Sequence, residues 1–417
     1  MSDARGVPID ARFDVGFANV IAGLESYNKH LYRPNTYLHK WWARRCGSTF
    51  RLILKHLVEN EHQRDYYAPG GLEGKIILDP MMGGGTTLHE AIRLGANVIG
   101  ADIDPIPVLQ ARATLSDIPL SHLEAAFDEF SHHAYSFPYT ALENNPLDPE
   151  KASGTLQSLF HTRVRRARQW ALQPKERIIK DGTSRTVTLR GEVDVGAEVS
   201  HAASLRSGTR RFLLIQGSSA SLDLDADSVD YVVTDPPYFD SVQYSDLAAF
   251  FRVWLKHLFP ADVQWDYDLS ESAVEPHTGG EGQYTEVLSA IFAECHHVLR
   301  KDGGRLIFTF HHWNPRGWAA LTLALKHAHF VLLNRYVVHS ENPVSVHISN
   351  LRALTHDAIL VLAPERAGAA RQWERPATID QTDSFRFCEG CATMLGWMLG
   401  SDLTDVEIEL QWNRLLG

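Results

Sequence analysis

The chain has few cysteines, no long apolar run and no excess of positive charge, and each shortage closes off a class of protein. Its four cysteines, Cys46, Cys295, Cys388 and Cys391, are scattered over 417 residues, too few for the disulfide framework of a secreted scaffold. Cys388-Glu-Gly-Cys391 has the spacing of a metal half-site, but no second pair completes it. Reduced thiols and no metal are therefore expected. No apolar stretch approaches the roughly 18 residues that mark a membrane span, and the opening MSDARGVPIDARFD lacks the apolar core of a secretory signal. The expectation is a cytoplasmic protein without membrane contact. A net charge of −11 argues against attraction to a polyanion over the whole surface.

What is present is a globular composition, 44% hydrophobic, with chain enough for a sizeable core. From Lys75 onward, short apolar runs alternate with helix-period segments, the pattern of a parallel sheet wrapped by crossovers. KIILD, NVIGADID, RFLLIQG, VDYVVT, GGRLIFTF, HFVLLNRYVV and DAILVLA read as strands. TTLHEAIRLGA, PIPVLQARATL and SHLEAAFDEFSHHAYSF read as helices, as do residues 246–258, 285–299 and 318–327. The expected fold class is α/β: a Rossmann-like, roughly seven-stranded, mainly parallel sheet with helices on both faces, plus an inserted subdomain where the pattern lapses. The expected divisions are residues 1–115, a basic insert at 116–211, a second half of the sheet at 212–364 and a C-terminal extension at 365–417, which fits a helical cap or a partner contact. A polar loop at residues 259–283 follows the strand edge that carries Asp235 and reads as a candidate lid.

The first strand runs into DPMMGGGTTLHE, which sets Gly83, Gly84 and Gly85 before a helix. Glycines there let a ligand approach the backbone, and the helix start offers free N–H groups. The lysine of a P-loop is missing, and Leu88 stands where a dinucleotide fingerprint needs a small residue. Asp102 ends the second strand, within the roughly 20 residues at which a carboxylate meets ribose hydroxyls. A nucleoside-containing cofactor follows, with NAD and S-adenosylmethionine both open on these residues.

Asp235-Pro236-Pro237-Tyr238 follows SVDYVVT, a run apolar enough to be covered on both faces. Two prolines cannot continue a ladder, so the chain turns out at the strand's carboxyl end, where open α/β sheets bind ligands. A base's exocyclic amine is a poor nucleophile because its lone pair is delocalised. Acceptors fixed at Asp235 and the Pro236 carbonyl would draw it toward tetrahedral geometry, and Tyr238 would give a flipped base a stacking face.

These residues resemble the amino-methylating DNA methyltransferases. With LHKWWARRCGSTFRLIL, GADIDPIPV and TDPPYFDSVQYSDLAAFFRVWLK, the chain looks closest to the adenine-specific DNA methylases that usually carry an inserted zinc ribbon. The resemblance spans residues 33–364. It implies a methyltransferase form of the Rossmann-like fold, S-adenosylmethionine as cofactor, double-stranded DNA as partner, and room for a cognate restriction system and a homodimer. It also implies Asp235, Pro236, Pro237 and Tyr238 as the catalytic set. Lys40, Trp42, Asp79, Pro80, Gly83, Gly85, Thr86, Thr87, Asp102, Ile103 and Ser218 would form the cofactor site. Motif order fits the γ arrangement if the target-reading part comes last, or the α arrangement if the insert does the reading.

The chain departs from that pattern twice. Relatives usually carry Gly-Asp where this chain has Gly217-Ser218, and no cysteine lies between Cys46 and Cys295, so the ribbon's ligands are gone. What remains is a basic stretch, and Arg163, Arg165, Arg166, Arg168, Lys175 and Arg177 are its candidate DNA contacts, because phosphate binding needs clustered cations. His296-His297 and His311-His312 read as structural, adjacent residues on a strand facing opposite ways. The leading reading is adenine-N6 methylation of DNA, with cytosine-N4 methylation using the same chemistry. An RNA methyltransferase and a binding module with a decayed cofactor site are the rivals.

Overall fold

The computed structural model describes residues 6–27, 33–39, 41, 44–134, 160–240, 244–257, 259, 263–274, 282–339, 354–365 and 372–416. Its strands are β1 (Ile76–Asp79), β2 (Asn97–Asp102), β3 (Lys175–Lys180), β4 (Thr183–Thr188), β5 (Ala197–Glu198), β6 (Arg211–Gln216), β7 (Tyr231–Thr234), β8 (Arg305–Phe310), β9 (Phe330–His339) and β10 (His356–Pro364). Eight of them form one sheet in the order β5-β6-β2-β1-β7-β8-β10-β9. Neighbours from β5 through β8 pair in parallel, and β10 runs antiparallel to both β8 and β9. This is a Rossmann-like α/β fold, and all seven strands expected from the sequence are present.

The interleaved helices are α1 (Val15–Tyr27), α2 (Gly47–Lys55), α3 (Thr86–Arg93), α4 (Pro105–Leu115), α5 (Leu120–Ala134), α6 (Arg165–Leu172), α7 (Tyr244–Leu255), α8 (Gln283–Val298), α9 (Pro315–His327), α10 (Ser384–Leu399) and α11 (Asp405–Leu416). The four residues of β1 show why its sequence lacks polar alternation. Ile76 and Leu78 enter one core with Leu288, Phe292 and Trp318, while Ile77 enters the other with Phe50, Ile53 and Leu88. A strand covered on both faces is apolar throughout.

The chain order creates a switch point. From β1 the chain crosses to β2 and β6 on one side, then returns to place β7 on β1's other edge. The carboxyl ends of β1, β2 and β7 therefore gather Asp79, Asp102 and Asp235 around one crevice, the place where such sheets bind ligands.

Residues 160–188 form α6 and a separate β3–β4 hairpin turned by Asp181-Gly182, both at positive φ (53° and 72°). That is the chemistry of a two-residue hairpin turn. The hairpin is pinned to the sheet's helices through charge. Buried Glu176 accepts from Arg33 Nη2 at 2.9 Å, Arg93 Nη2 at 2.8 Å and the Tyr66 hydroxyl at 3.1 Å. Glu192 takes both terminal nitrogens of Arg51. The edge strand β5 was not foreseen: at two residues it carries no periodicity, and it brings the chain back to the main sheet before β6. At the other end α10 and α11 cap the core that holds Trp318, with Trp412 stacked on Trp318 at 5.7 Å and donating to Thr322 Oγ1.

Candidate active site

A cleft of about 1040 Å³, open mouth included, lies over the switch point. Its walls include Asp79, Pro80, Gly83, Thr86, Thr87, Asp102 and Ile103 from the first half of the sheet, and Asp235, Pro236, Pro237 and Tyr238 from the second. Gly85 sits just behind, at φ +72°, as the residue preceding α3. Lys40 and Trp42 lie outside the described residues.

The glycine loop is tied to the end of β2. Gly83 N–H donates to Asp102 Oδ2 at 3.0 Å, and Asp104 N–H donates to Asp102 Oδ1 at 3.0 Å. Gly83 has φ +42°, and a Cβ there would stand 2.7 Å from Trp41 Nε1. Glycine is required on both counts. Burial pushes the Asp102 carboxyl up to about 7, against the two backbone donors and helped by neighbouring Asp104. Asp79 is likewise pushed up by burial, to about 6, although the hydroxyls of Thr234 and Thr87 favour its charged form. Thr234 Oγ1 donates to Asp79 Oδ1 at 2.7 Å.

The corner after β7 is dense with hydrogen bonds. Tyr238 hydroxyl donates to Asp235 Oδ1 at 2.7 Å, Thr309 hydroxyl donates to the same oxygen, and Arg45 Nε donates to Asp235 Oδ2 at 2.7 Å. Burial, reinforced by Asp235, holds the Tyr238 phenol well above its ordinary pKa despite Arg45, so it stays a donor. The Tyr238 ring is 7% exposed, lies against Phe310 and His311, and has the Arg45 guanidinium 4.7 Å from its centroid. Phe239 follows at φ +48°, an uncommon conformation for an aromatic residue. Its ring is wedged against Tyr284 and His312, and Tyr284 hydroxyl donates to the Pro237 carbonyl at 2.9 Å. That packing over-determines the turn.

Trp41 lines the cleft over Gly83 and Gly84. Arg44 donates to the Gly84 carbonyl, and Arg45 reaches across to Asp235 and to Asp357 Oδ2 at 3.5 Å. His311 pairs with Asp357 and His312 with Asp240, so the histidine pair borders the site. Ser218 is half-buried beside the cleft. Gly217 and Ser219 are the residues of that turn on its wall, while the Ser218 hydroxyl accepts from Ala220 N–H. Glu271, Ser272, Ala273 and Val274 supply another wall, from within the loop read as a lid. Tyr267 of the same loop donates to Asp104 Oδ2 at 2.9 Å.

Of the candidate DNA contacts, Arg163, Arg166 and Lys175 are exposed and Arg177 is half-buried on β3. Arg165 pairs with Glu124 at 2.6 Å, and Arg168, with 11% of its side chain exposed, pairs with Asp117. Cys388 and Cys391 are buried free thiols on α10, one turn apart. Among the described residues no group of three or more His, Cys, Asp or Glu side chains is arranged to hold a metal, and no helix is long and apolar enough to cross a membrane.

No family model matches the chain. It is 28% identical over 173 residues to the Type II methyltransferase M.BsoBI of Geobacillus stearothermophilus, a match covering 38% of this chain and 31% of that protein. Solved structures aligned with it include a TehB-like SAM-dependent methyltransferase from Corynebacterium glutamicum, 13% identical with TM-score 0.30, covering 82% of this chain and 97% of that one. Another is a SAM-dependent methyltransferase from Methanosarcina mazei, 11% identical with TM-score 0.31, covering 70% and 94%. Overlays this loose carry no argument, and the fold rests on the strand order already described.

Proposed function

We propose that the protein is an S-adenosylmethionine-dependent methyltransferase acting on the exocyclic N6 amine of adenine in DNA. The observation that carries this reading is one cleft lined by both the glycine loop with Asp102 and the Asp235-Pro236-Pro237-Tyr238 corner. The partial likeness to a Type II methyltransferase supports it. The first half of the cleft fits the cofactor. Glycine at 83 lets the loop pass directly beneath the Trp41 indole, and Asp102 borders the cleft where hydroxyl donors of a ribose would meet a carboxylate. When bound, S-adenosylmethionine supplies an electrophilic methyl group.

The chain's own residues prepare the nucleophile. Asp235 and the Pro236 carbonyl accept the two amine hydrogens of the base, concentrating electron density on nitrogen. Thr309 and Tyr238 fix the orientation of the Asp235 carboxylate. No general base must act first, because the proton leaves once the nitrogen has become cationic. Asp235→Ala should abolish methyl incorporation from labelled cofactor into mixed-sequence duplex DNA while leaving cofactor affinity within about twofold. An Asp235→Ala protein that still methylates DNA would sink the mechanism.

A further inference from the structure

We propose that Arg45 holds the place of the target base, occupying the Asp235 carboxylate and the Tyr238 ring until the base displaces it onto Asp357; this rests on the methyl-transfer reading above. A guanidinium and an amino-substituted base share three features: both are planar, both carry N–H donors on an edge, and both stack on aromatic rings. Arg45 uses all three. Its Nε donates to Asp235 Oδ2 at 2.7 Å while its Cζ lies over the Tyr238 ring, 4.7 Å from the centroid. Those are the acceptor and the stacking surface that an amine-bearing base requires here, so base and guanidinium cannot occupy them together.

The arrangement solves a physical problem. Asp235 and the 3%-exposed Asp357 both face the Arg45 guanidinium in a largely buried site. Two carboxylates there are costly without a cation between them. Arg45 bridges both, and its Nη1, already 3.5 Å from Asp357 Oδ2, gives it a second position. When the base's amine supplies hydrogen bonds to Asp235, the guanidinium shifts to Asp357, beside His311. Arg45 thereby acts as a positioning residue that tunes how readily the base enters.

The probe is deoxyadenosine, which carries the 6-amine, titrated by calorimetry into the protein with saturating S-adenosylhomocysteine. Arg45→Ala should bind it about tenfold more tightly than the wild type. Asp357→Asn removes the second position, so it should weaken binding in the wild-type background and change nothing in the Arg45→Ala background. If Arg45→Ala does not fold by thermal unfolding, Arg45→Lys keeps the charge without covering the ring and should also tighten binding. Unchanged or weaker binding by the folded variants overturns the placeholder. If the wild type nevertheless methylates DNA, the methyl-transfer reading survives that result; if the wild type methylates no nucleic acid, both fall.

Discussion

Thr234 Oγ1 donates to Asp79 Oδ1 at 2.7 Å, joining the last residues of β7 and β1 beneath the cleft. One of these strands leads into the glycine loop and the other into the Asp235–Tyr238 corner. The bond therefore fixes the spacing between the places proposed for the methyl donor and for the base. That spacing matters because misalignment of reacting groups by about 1 Å can cost on the order of a hundredfold in rate.

Gly83→Ala should separate the cofactor site from the fold. The new Cβ would stand 2.7 Å from Trp41 Nε1 at a backbone φ of +42°, where an L side chain costs roughly 1–2 kcal/mol. Affinity for S-adenosylhomocysteine, measured by calorimetry, should fall about tenfold, with the melting temperature lowered by only a few degrees. Unaltered affinity would place the cofactor elsewhere.

Cofactor binding should depend on pH through Asp102. With its carboxyl pushed up to about 7 by burial, the folded protein without cofactor retains a proton that the unfolded chain releases near 3.8. Its contribution to stability is complete below that lower value and is lost as pH rises to about 7. Hydroxyl donors from a ribose favour the charged form, so affinity for S-adenosylhomocysteine should rise across roughly pH 6 to 8 with proton release. Asp102→Asn should flatten that profile; a profile unchanged by the substitution would remove Asp102 from the site.

The exposed cations of the insert should act on DNA affinity alone. Replacing Arg163, Arg166 and Lys175 together by alanine should reduce the dependence of log K on log salt by about 3, near 0.9 for each phosphate contact. Cofactor affinity should stay the same. A salt dependence equal to that of the wild type would make this face merely solvated.

Glu176→Ala should destabilise the whole chain, because it strips a shared acceptor from Arg33 and Arg93 in a buried network. Breaking one partner of such a network costs roughly 3–5 kcal/mol, readable by urea denaturation. A loss below about 1 kcal/mol would mean that Glu25, Glu90 and Glu192 absorb the freed charge.

The sheet was legible because its central strands are buried on both faces, which writes them as uninterrupted apolar runs ending in Asp79, Asp102 and Asp235. Helix α4 was equally plain, opened by Asp104 as cap and by prolines in its first turn. What local pattern could not show is pairing across distance. Arg45 meets Asp235 from 190 positions away, and nothing near either residue announces the other. The stretch LHKWWARRCGSTFRLIL did point to Arg45's neighbourhood, though not to its partner. The short β5 and the charge network that pins the hairpin escaped for the same reason, since both depend on segments that meet only in the fold.

The most direct measurement is to incubate the purified protein with labelled S-adenosylmethionine and mixed-sequence duplex DNA, digest to nucleosides and identify the product by mass spectrometry. The account predicts N6-methyladenine. N4-methylcytosine would keep the chemistry of the corner and replace the target base. DNA left without any methylated nucleoside, by a protein that binds the cofactor, would contradict it.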